Sequence, residues 1–251
     1  MLSNFHTHTI RCQHASGTDR EYVEAAIQAG FKILGFSDHC PWPFPDGYVS
    51  NIRMAPAEID GYFSAMDAIK KEYASDIKIY TGFEAEYTPA LNAAQEAILS
   101  GYPIDYMILG QHFLGSESES VFVGRPFHEE ARLKHYVDLT IEAVDTGKYL
   151  YLAHPDIINY IGSDKIYEKH ISRLCQFMKE KNFPLEVNVL GLWGGRTYPD
   201  RRFWEIAAKI GCTAVIGIDA HSPEQLLNST AVKQAEAFCE EFALNRIEVQ
   251  L

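Results

Sequence analysis

The sequence AVIGIDAH, residues 214–221, indicates how this chain folds. Its apolar first part, residues 214–218, suits a strand that is buried on both faces of a parallel sheet. Asp219 and His221 follow at once, where a doubly wound phosphate-binding fold would carry a glycine-rich turn. Neither GxGxxG nor GxxxxGK followed by Ser or Thr occurs in the chain. A closed barrel of β/α units is therefore favoured over an open sheet.

The remainder of the chain alternates between apolar runs and helical patterns. Buried strands are predicted at residues 2–5, 33–36, 77–81, 106–109, 149–153, 185–189 and 214–218. Helices are predicted at residues 19–29, 56–73, 89–99, 129–146, 165–181, 201–210 and 223–242. Thr18 and Glu21 form a candidate capping box at the start of the first helix. No linker divides the 251 residues, so a single α/β domain, residues 1–251, is expected.

The composition argues against nucleic acid and membranes as partners. The formal net charge of −12 argues against broad nucleic-acid binding, which needs many basic side chains. No apolar stretch approaches the roughly 20 residues that cross a bilayer, so no membrane partner is expected. The five cysteines are scattered without a CxxC pair, and we interpret them as reduced thiols. With the first histidine motif at His6, no room remains upstream for a cleavable signal, and a cytoplasmic protein is expected, whether monomer or homo-oligomer.

Histidines and carboxylates gather where the predicted strands end. The chain has ten histidines, and most of them lie at or shortly after strand ends, namely His6, His8, His14, His39, His112, His154 and His221. Glu84 and Asp219 occupy matching positions. Since loops from every strand converge at that end of a β/α barrel, these residues should share one pocket. His128, His135 and His170 fall in or beside helical patterns and are interpreted as ordinary surface or packing residues.

The spacing of these residues indicates metal binding. His6 and His8, two residues apart on a strand, present both imidazoles to the same side, and Asp219 and His221 repeat that spacing. Nine candidate ligands exceed the four or so that one zinc ion accepts, which indicates two or three ions that share a carboxylate. Glu84 is the candidate bridge. Asp38 and Glu86, which neighbour these residues, are interpreted either as groups that orient imidazoles or as direct metal or substrate contacts.

Together these residues resemble the PHP (polymerase and histidinol phosphatase) family. The matching motifs are FHTH (5–8), CQHASG (12–17), SDH (37–39), GFE (82–84), QHF (111–113), AHPD (153–156) and GIDAH (217–221). The resemblance implies a distorted, TIM-like (β/α)7 barrel with a trinuclear site for zinc, manganese or iron. It assigns one ion to His6, His8, Glu84 and Asp219. A second ion would use Glu84, His112 and His154, and the third would use His14, His39 and His221.

Within the family, the chain is most similar to stand-alone histidinol-phosphate phosphatases. The implied activity is metal-dependent hydrolysis of a phosphate monoester, L-histidinol phosphate, in histidine biosynthesis. The implied catalytic residues are Glu84, Asp219 and His221. Candidates for substrate binding are Arg196 and Arg125 for the phosphate, and Glu86, Asp46 or Trp42 for the amine. The sequence departs from the expected pattern at Ile218, where a small residue is expected, and at LGQH (109–112), where a run like Ser-Val-His is expected.

Three other functions fit part of the pattern. A phosphoesterase of the same family could act on a nucleotide or a sugar phosphate. Metal-dependent amidohydrolases also begin with HxH and end with an aspartate on barrel strands, but His39, His221 and the lack of an eighth β/α unit argue against them. A metal-binding module without activity would show the full ligand set and no turnover of any phosphate ester.

Overall fold

The computed structural model, which describes residues 1–251, has parallel strands that curl into a barrel with helices on its outside. The strands are β1 (Ser3–Asn4), β2 (Ile33–His39), β3 (Lys78–Ala85), β4 (Tyr106–Leu109), β5 (Leu185–Asn188), β6 (Thr213–Gly217) and β7 (Asn245–Arg246). The helices are α1 (Asp19–Ala29), α2 (Ile59–Glu72), α3 (Pro89–Leu99), α4 (Glu130–Asp145), α5 (Asp164–Glu180), α6 (Val189–Trp193), α7 (Arg201–Ile210), α8 (Pro223–Leu226) and α9 (Ser229–Glu241). None of them is long and apolar enough to cross a membrane.

The barrel is assembled from two parallel sheets that short bridges join. One sheet has the order β1-β2-β3-β4 and the other has the order β5-β6-β7. Leu152 connects them, because it pairs with Leu109 at the end of β4 and with Leu185 at the start of β5. On the other side the barrel is closed at its mouth by a bridge between Thr7 and Ala220. The predicted distorted (β/α)7 barrel is confirmed.

The structure differs from the sequence prediction at several places, including the three that follow. The predicted strand 149–153 is reduced to the bridge at Leu152, because the chain turns away at His154, whose φ is 28°. The predicted helix 223–242 is broken into α8 and α9, since Asn228 starts a new helix by accepting a hydrogen bond from the Ala231 N–H. The final strand β7 was not predicted, and it pairs with β6 at the end of the barrel opposite the mouth.

Aromatic side chains fill the barrel below its mouth. Phe5, Tyr106, Ile108, Tyr151 and Val215 belong to one buried cluster. The rings of Phe5 and Tyr106 meet edge to face with their centroids 5.2 Å apart. The Tyr106 hydroxyl donates a hydrogen bond of 2.9 Å to the carbonyl of Phe5. This layer supports the strand ends above it, so shifts in the layer should reach the mouth.

The absence of a side chain at Gly35 is what lets this aromatic layer close. A Cβ at this position would lie 2.4 Å from Tyr106 Oη and 2.8 Å from Phe5 Cδ1. We therefore expect Gly35→Ala to destabilise the protein by about 1–3 kcal/mol, the usual range for overpacking. Denaturant unfolding should measure this loss, and adding Tyr106→Phe should recover part of it. Gly61→Ala, on α2 with nothing within 4 Å, is the control and should not destabilise. Equal stability of Gly35→Ala and wild type would contradict this account of the layer.

Candidate metal centre

The barrel mouth is formed by the two short motifs that the sequence places at opposite ends of the chain. The His8 N–H donates to the Ala220 carbonyl at 2.8 Å, and the Ala220 N–H donates to the His6 carbonyl at 3.2 Å. This parallel pairing places His6 and His8 beside Asp219. His8 Nε2 lies 3.1 Å from Asp219 Oδ1, and His6 Nε2 lies 3.4 Å from the same oxygen. A single ion could contact all three side chains.

Glu84 lies in the middle of the mouth, between two groups of imidazoles. Its Oε2 is close to His39 Nδ1 at 3.1 Å and to the Nε2 atoms of His6 and His8, each at 3.5 Å. Its Oε1 is close to His154 Nε2 at 2.8 Å and to His112 Nε2 at 3.5 Å. Gly110 makes room for it, because a Cβ there would lie 1.9 Å from Oε1. The two oxygens thus face different ligand groups, the geometry that a bridging carboxylate requires.

A third group consists of His14, His39 and His221. His14 Nδ1 donates to the Cys12 carbonyl at 2.8 Å, and His221 Nδ1 donates to the Asp219 carbonyl at 3.0 Å. In these tautomers the Nε2 atom of each ring carries a lone pair, and the two Nε2 atoms are only 3.0 Å apart. Burial lowers the pKa of His14 and lowers that of His221 to about 3, which keeps both rings neutral. Two facing lone pairs are stable at this distance only with a cation between or beside them.

Carboxylates stand behind several of the imidazoles. His6 Nδ1 donates to Glu186 Oε1 at 2.8 Å, and His112 Nδ1 donates to Glu86 Oε1 at 2.9 Å. His8 Nδ1 lies 3.6 Å from Asp38 Oδ1. Such contacts fix the tautomer and direct Nε2 into the mouth, as is usual for histidines that bind metals.

The mouth holds more negative charge than its protein cations offset. Five carboxylates are buried at or behind the imidazoles, namely Asp38, Glu84, Glu86, Glu186 and Asp219. Glu86 alone among them pairs with an arginine, Arg53, which it shares with Glu117. Buried carboxylates without a cation are strongly unfavourable. The mouth therefore needs positive charge from protons or metal ions.

Charge coupling in the mouth also shifts its pKa values. Burial alone would raise the pKa of Glu84, but the imidazoles of His112, His39 and His6 outweigh burial and hold that pKa well below its usual value. Burial opposes protonation of His8, yet Asp219 and Asp38 raise its pKa to about 9. The field that retains this proton would equally retain a metal cation. Several buried atoms here also lack a hydrogen-bond partner, namely His6 Nε2, both ring nitrogens of His8, His39 Nδ1 and Glu84 Oε2. The residues fit a cluster of divalent ions.

A cavity of about 430 Å³ opens above these groups. Besides candidate ligands it is lined by Ile52, Phe113, Phe122, Ile157, Leu190, Arg196, Tyr198 and Gln225. Arg196 Nη1 donates to Tyr198 Oη at 2.7 Å, which places this guanidinium at the cavity edge, as expected of a phosphate contact. Arg125 is exposed and does not line the cavity.

The residues expected to meet a substrate amine lie elsewhere. Glu86 is 1% exposed and has its oxygens occupied by Arg53 and His112. Trp42 and Asp46 line a separate cavity of about 390 Å³ that shares no residue with the first. Two roles were considered for Glu86, orientation of an imidazole and direct contact with metal or substrate. Its hydrogen bond with His112 matches the first role. The structure does not bring these residues to the substrate cavity, because the loop after β2 places Trp42 and Asp46 at the other cavity and Glu86, directly after β3, points at Arg53 and His112.

Two residues behind the mouth were missed. Glu186 gave a signal, because it is the one charged residue in the predicted strand 185–189. Its space depends on Gly217, where a Cβ would lie 1.7 Å from Glu186 Oε1. Arg53 gave none, since it lies in an irregular loop before α2.

Comparison with known proteins agrees with this geometry. The family model described as "PHP domain" matches residues 4–189. The chain belongs to the PHP domain family. The match includes the candidate ligands from His6 to His154, whereas Asp219 and His221 lie beyond it. Membership sets aside the amidohydrolase interpretation.

Similar proteins extend the match over most of the chain. A "Probable histidinol-phosphatase" of Deinococcus radiodurans is 30% identical over 237 residues, which cover 90% of this chain and 88% of the relative. A "Histidinol-phosphatase" of Bacillus subtilis is 29% identical, with 74% and 72% covered. The solved histidinol phosphate phosphatase of Lactococcus lactis, in complex with zinc, L-histidinol and phosphate, superposes with a TM-score of 0.72 at 16% identity, covering 98% of this chain and 95% of that one. At this low sequence identity, the similarity to the Lactococcus lactis structure shows a shared fold.

A comparison of two histidine variants tests whether the mouth binds metal. We expect His154→Gln to lower the number of zinc or manganese ions bound per chain, because His154 Nε2 faces Glu84 Oε1 at 2.8 Å. His135→Gln is the control, since His135 is exposed and its ring hydrogen-bonds to the Leu114 carbonyl, away from the candidate ligands. Elemental analysis after reconstitution should give two to three ions for the control and fewer for His154→Gln. Equal metal content in the two variants would remove His154 from the ligand set.

Proposed function

We propose that this chain is a metal-dependent phosphatase that hydrolyses L-histidinol phosphate to L-histidinol and phosphate. The observation that carries the proposal is the excess of buried carboxylates at the barrel mouth, beneath a cavity with one arginine at its edge. The activity named for the Deinococcus and Bacillus relatives supports it. The whole chain, residues 1–251, would act as one phosphoesterase domain. Five buried thiols, all unpaired, are in keeping with a reducing compartment such as the cytoplasm.

The proposed ligand sets follow the three groups in the mouth. His6, His8 and Asp219 would hold one ion together with Glu84. His112 and His154 face the other oxygen of Glu84 and would hold a second ion with it. His14, His39 and His221 would hold the third. Imidazole mixed with carboxylate suits zinc, manganese and iron, and two to three such ions are proposed.

The chemistry divides between the ions and the chain. Bound ions would neutralise phosphate charge and lower the pKa of a water for in-line attack on phosphorus. Glu84 and Asp219 keep their negative charge, since the surrounding imidazoles hold both pKa values well below their usual range. His221 lines the same cavity and would direct its Nε2 towards the reacting phosphate. Arg196 would bind phosphate oxygens through its guanidinium, which can engage two of them.

The cavity wall favours an aromatic alcohol group over a sugar. Phe122 lies nearly parallel to His112, with an interplanar angle of 21°, and the apolar side chains of Phe113, Ile52 and Ile157 also line the cavity. A flat imidazole can pack there, whereas the hydroxyls of a sugar would lose hydrogen bonds to water without replacement. No carboxylate outside the proposed ligands lines the cavity, so the substrate ammonium would be offset by the general negative field of the mouth. Nucleotide and sugar phosphates remain the second candidates.

Glu84→Gln tests the bridge. The amide keeps the shape of the side chain but removes the negative charge that lies between the two imidazole groups. We expect fewer bound ions and a fall in kcat of at least about 100-fold, because the ions would lose their shared charge. Elemental analysis and steady-state kinetics on the same preparation measure both effects. Full activity with full metal content would place the bridge at another residue.

The substrate is tested by kinetics on a panel of phosphate monoesters. We expect kcat/KM for L-histidinol phosphate to exceed that for sugar phosphates and nucleotides by orders of magnitude. Arg196→Ala should lower kcat/KM for L-histidinol phosphate by a factor that corresponds to about 2–4 kcal/mol of transition-state stabilisation. This is the range expected for an arginine contact that strengthens in the transition state. Arg125→Ala is the control, because this arginine is exposed outside the cavity. Faster turnover of a sugar phosphate or nucleotide would overturn the substrate but leave the metal centre in place.

A further inference from the structure

We propose that Arg53 is a positioning residue that holds Glu86 behind His112 and thereby sets the affinity for the ion that His112 would bind. The inference rests on the proposed metal centre and concerns a residue that does not itself face the cavity. Arg53 is 1% exposed and belongs to the irregular segment between β2 and α2. A buried arginine outside regular structure needs a full set of partners, and these partners show what it does.

The guanidinium of Arg53 contacts two carboxylates at once. Nη1 and Nη2 lie 2.9 and 3.0 Å from the two oxygens of Glu86, a bidentate pair. Nε donates to Glu117 Oε2 at 2.6 Å, and Nη1 also donates to the Cys40 carbonyl at 3.0 Å. One face of the guanidinium lies over the Trp42 ring, 4.3 Å from its centroid. The planar fork is thus fixed on three sides, which a lysine ammonium could not reproduce.

Glu86 connects this fork to the mouth. Its Oε1 accepts from Arg53 Nη2 and also from His112 Nδ1, at 3.0 and 2.9 Å. The hydrogen bond from Nδ1 fixes the His112 tautomer, so that Nε2 points at Glu84 Oε1, 3.5 Å away. Without Arg53, Glu86 would be a buried carboxylate with no cation, and nothing would hold its two oxygens in place. Movement of Glu86 would loosen the His112 ring.

The same arginine ties the cavity wall to the metal centre. Glu117, its second carboxylate, accepts through Oε1 from Ser50 Oγ at 2.7 Å and from Tyr48 Oη at 3.2 Å. Gln13 Nε2 donates to the Arg53 carbonyl at 3.0 Å. Ile52, the residue before Arg53, lines the substrate cavity. Because one side chain anchors both the wall and His112, its loss should change KM as well as metal affinity.

The experiment compares zinc affinities of metal-stripped variants. Arg53→Lys keeps the charge without the fork, and Arg53→Met removes both. Arg202→Lys is the matched control, because Arg202 also lies 4.3 Å from an aromatic centroid, that of Tyr167, and pairs with Asp200 away from the mouth. Zinc is titrated against a chromophoric chelator, and thermal unfolding of each stripped variant is recorded separately. We expect both Arg53 variants to bind one ion about 10- to 100-fold more weakly while the other ions are unaffected. The control should bind as wild type does.

A double-mutant cycle tests whether Arg53 acts through Glu86. Glu86→Gln leaves an amide oxygen that can still accept from His112 Nδ1 but has no charge to be paired. In this background, adding Arg53→Met should weaken zinc binding by less than about twofold more, since the relay is already broken. The double variant is also the better folding test, because it leaves one buried carboxylate, Glu117, without a cation, whereas Arg53→Met alone leaves both Glu117 and Glu86 without one.

Each outcome decides the inference. Unchanged zinc affinity in the Arg53 variants, or equal weakening of all ions together, would mean that Arg53 is merely structural. Additive effects in the cycle would mean that it acts independently of Glu86. Wild-type protein that takes up no ions would overturn the proposed metal centre and this inference with it, whereas normal ion uptake with no effect of Arg53 overturns the inference alone. Selective loss of one ion with a rise in KM supports it.

Discussion

Negative charge buried at the barrel mouth is the constraint on which the site depends. Five carboxylates lie there, and four of them have no arginine or lysine partner. A fold with this charge distribution is strained unless protons or metal ions compensate it. The glycines beside the carboxylates follow from the same constraint. Gly110 and Gly217 leave space that Glu84 and Glu186 occupy, so the carboxylates can sit within the packed wall.

The same backbone pairing closes the barrel and brings the candidate metal ligands together. Pairing between Thr7 and Ala220 joins the segment after β1 to the segment after β6, and the residues on either side of each are candidate ligands. The backbone is strained at this point, because Asp219 has a φ of 59° and His154 has a φ of 28°. Non-glycine residues in this region cost about 1–3 kcal/mol each, and such strain is typical of sites where side chains must be aimed. Metal binding would offset it.

The barrel and the nine candidate ligands could be predicted because both depend on regular patterns. Strand ends converge by geometry, so His39 and Glu84 could be placed together from sequence position alone, and in β2 and β3 they lie opposite each other. Contacts made by irregular loops could not be predicted in this way. The path of the segment between β2 and α2 decides that Arg53 reaches Glu86 and that Asp46 lines another cavity. No periodicity encodes such a path.

Electrostatics of the whole chain bear on which ester can enter. A formal net charge of −12 repels anions, and nucleotides with several phosphates would be repelled most. Arg196 is the one arginine or lysine on the cavity lining, so one phosphoryl group is the most that the chain's own side chains can match there. The ammonium of histidinol phosphate lowers the net negative charge of that substrate and would interact favourably with the carboxylates beneath the cavity. An acidic surface and a carboxylate-rich mouth would thus favour a phosphate monoester that carries its own cation.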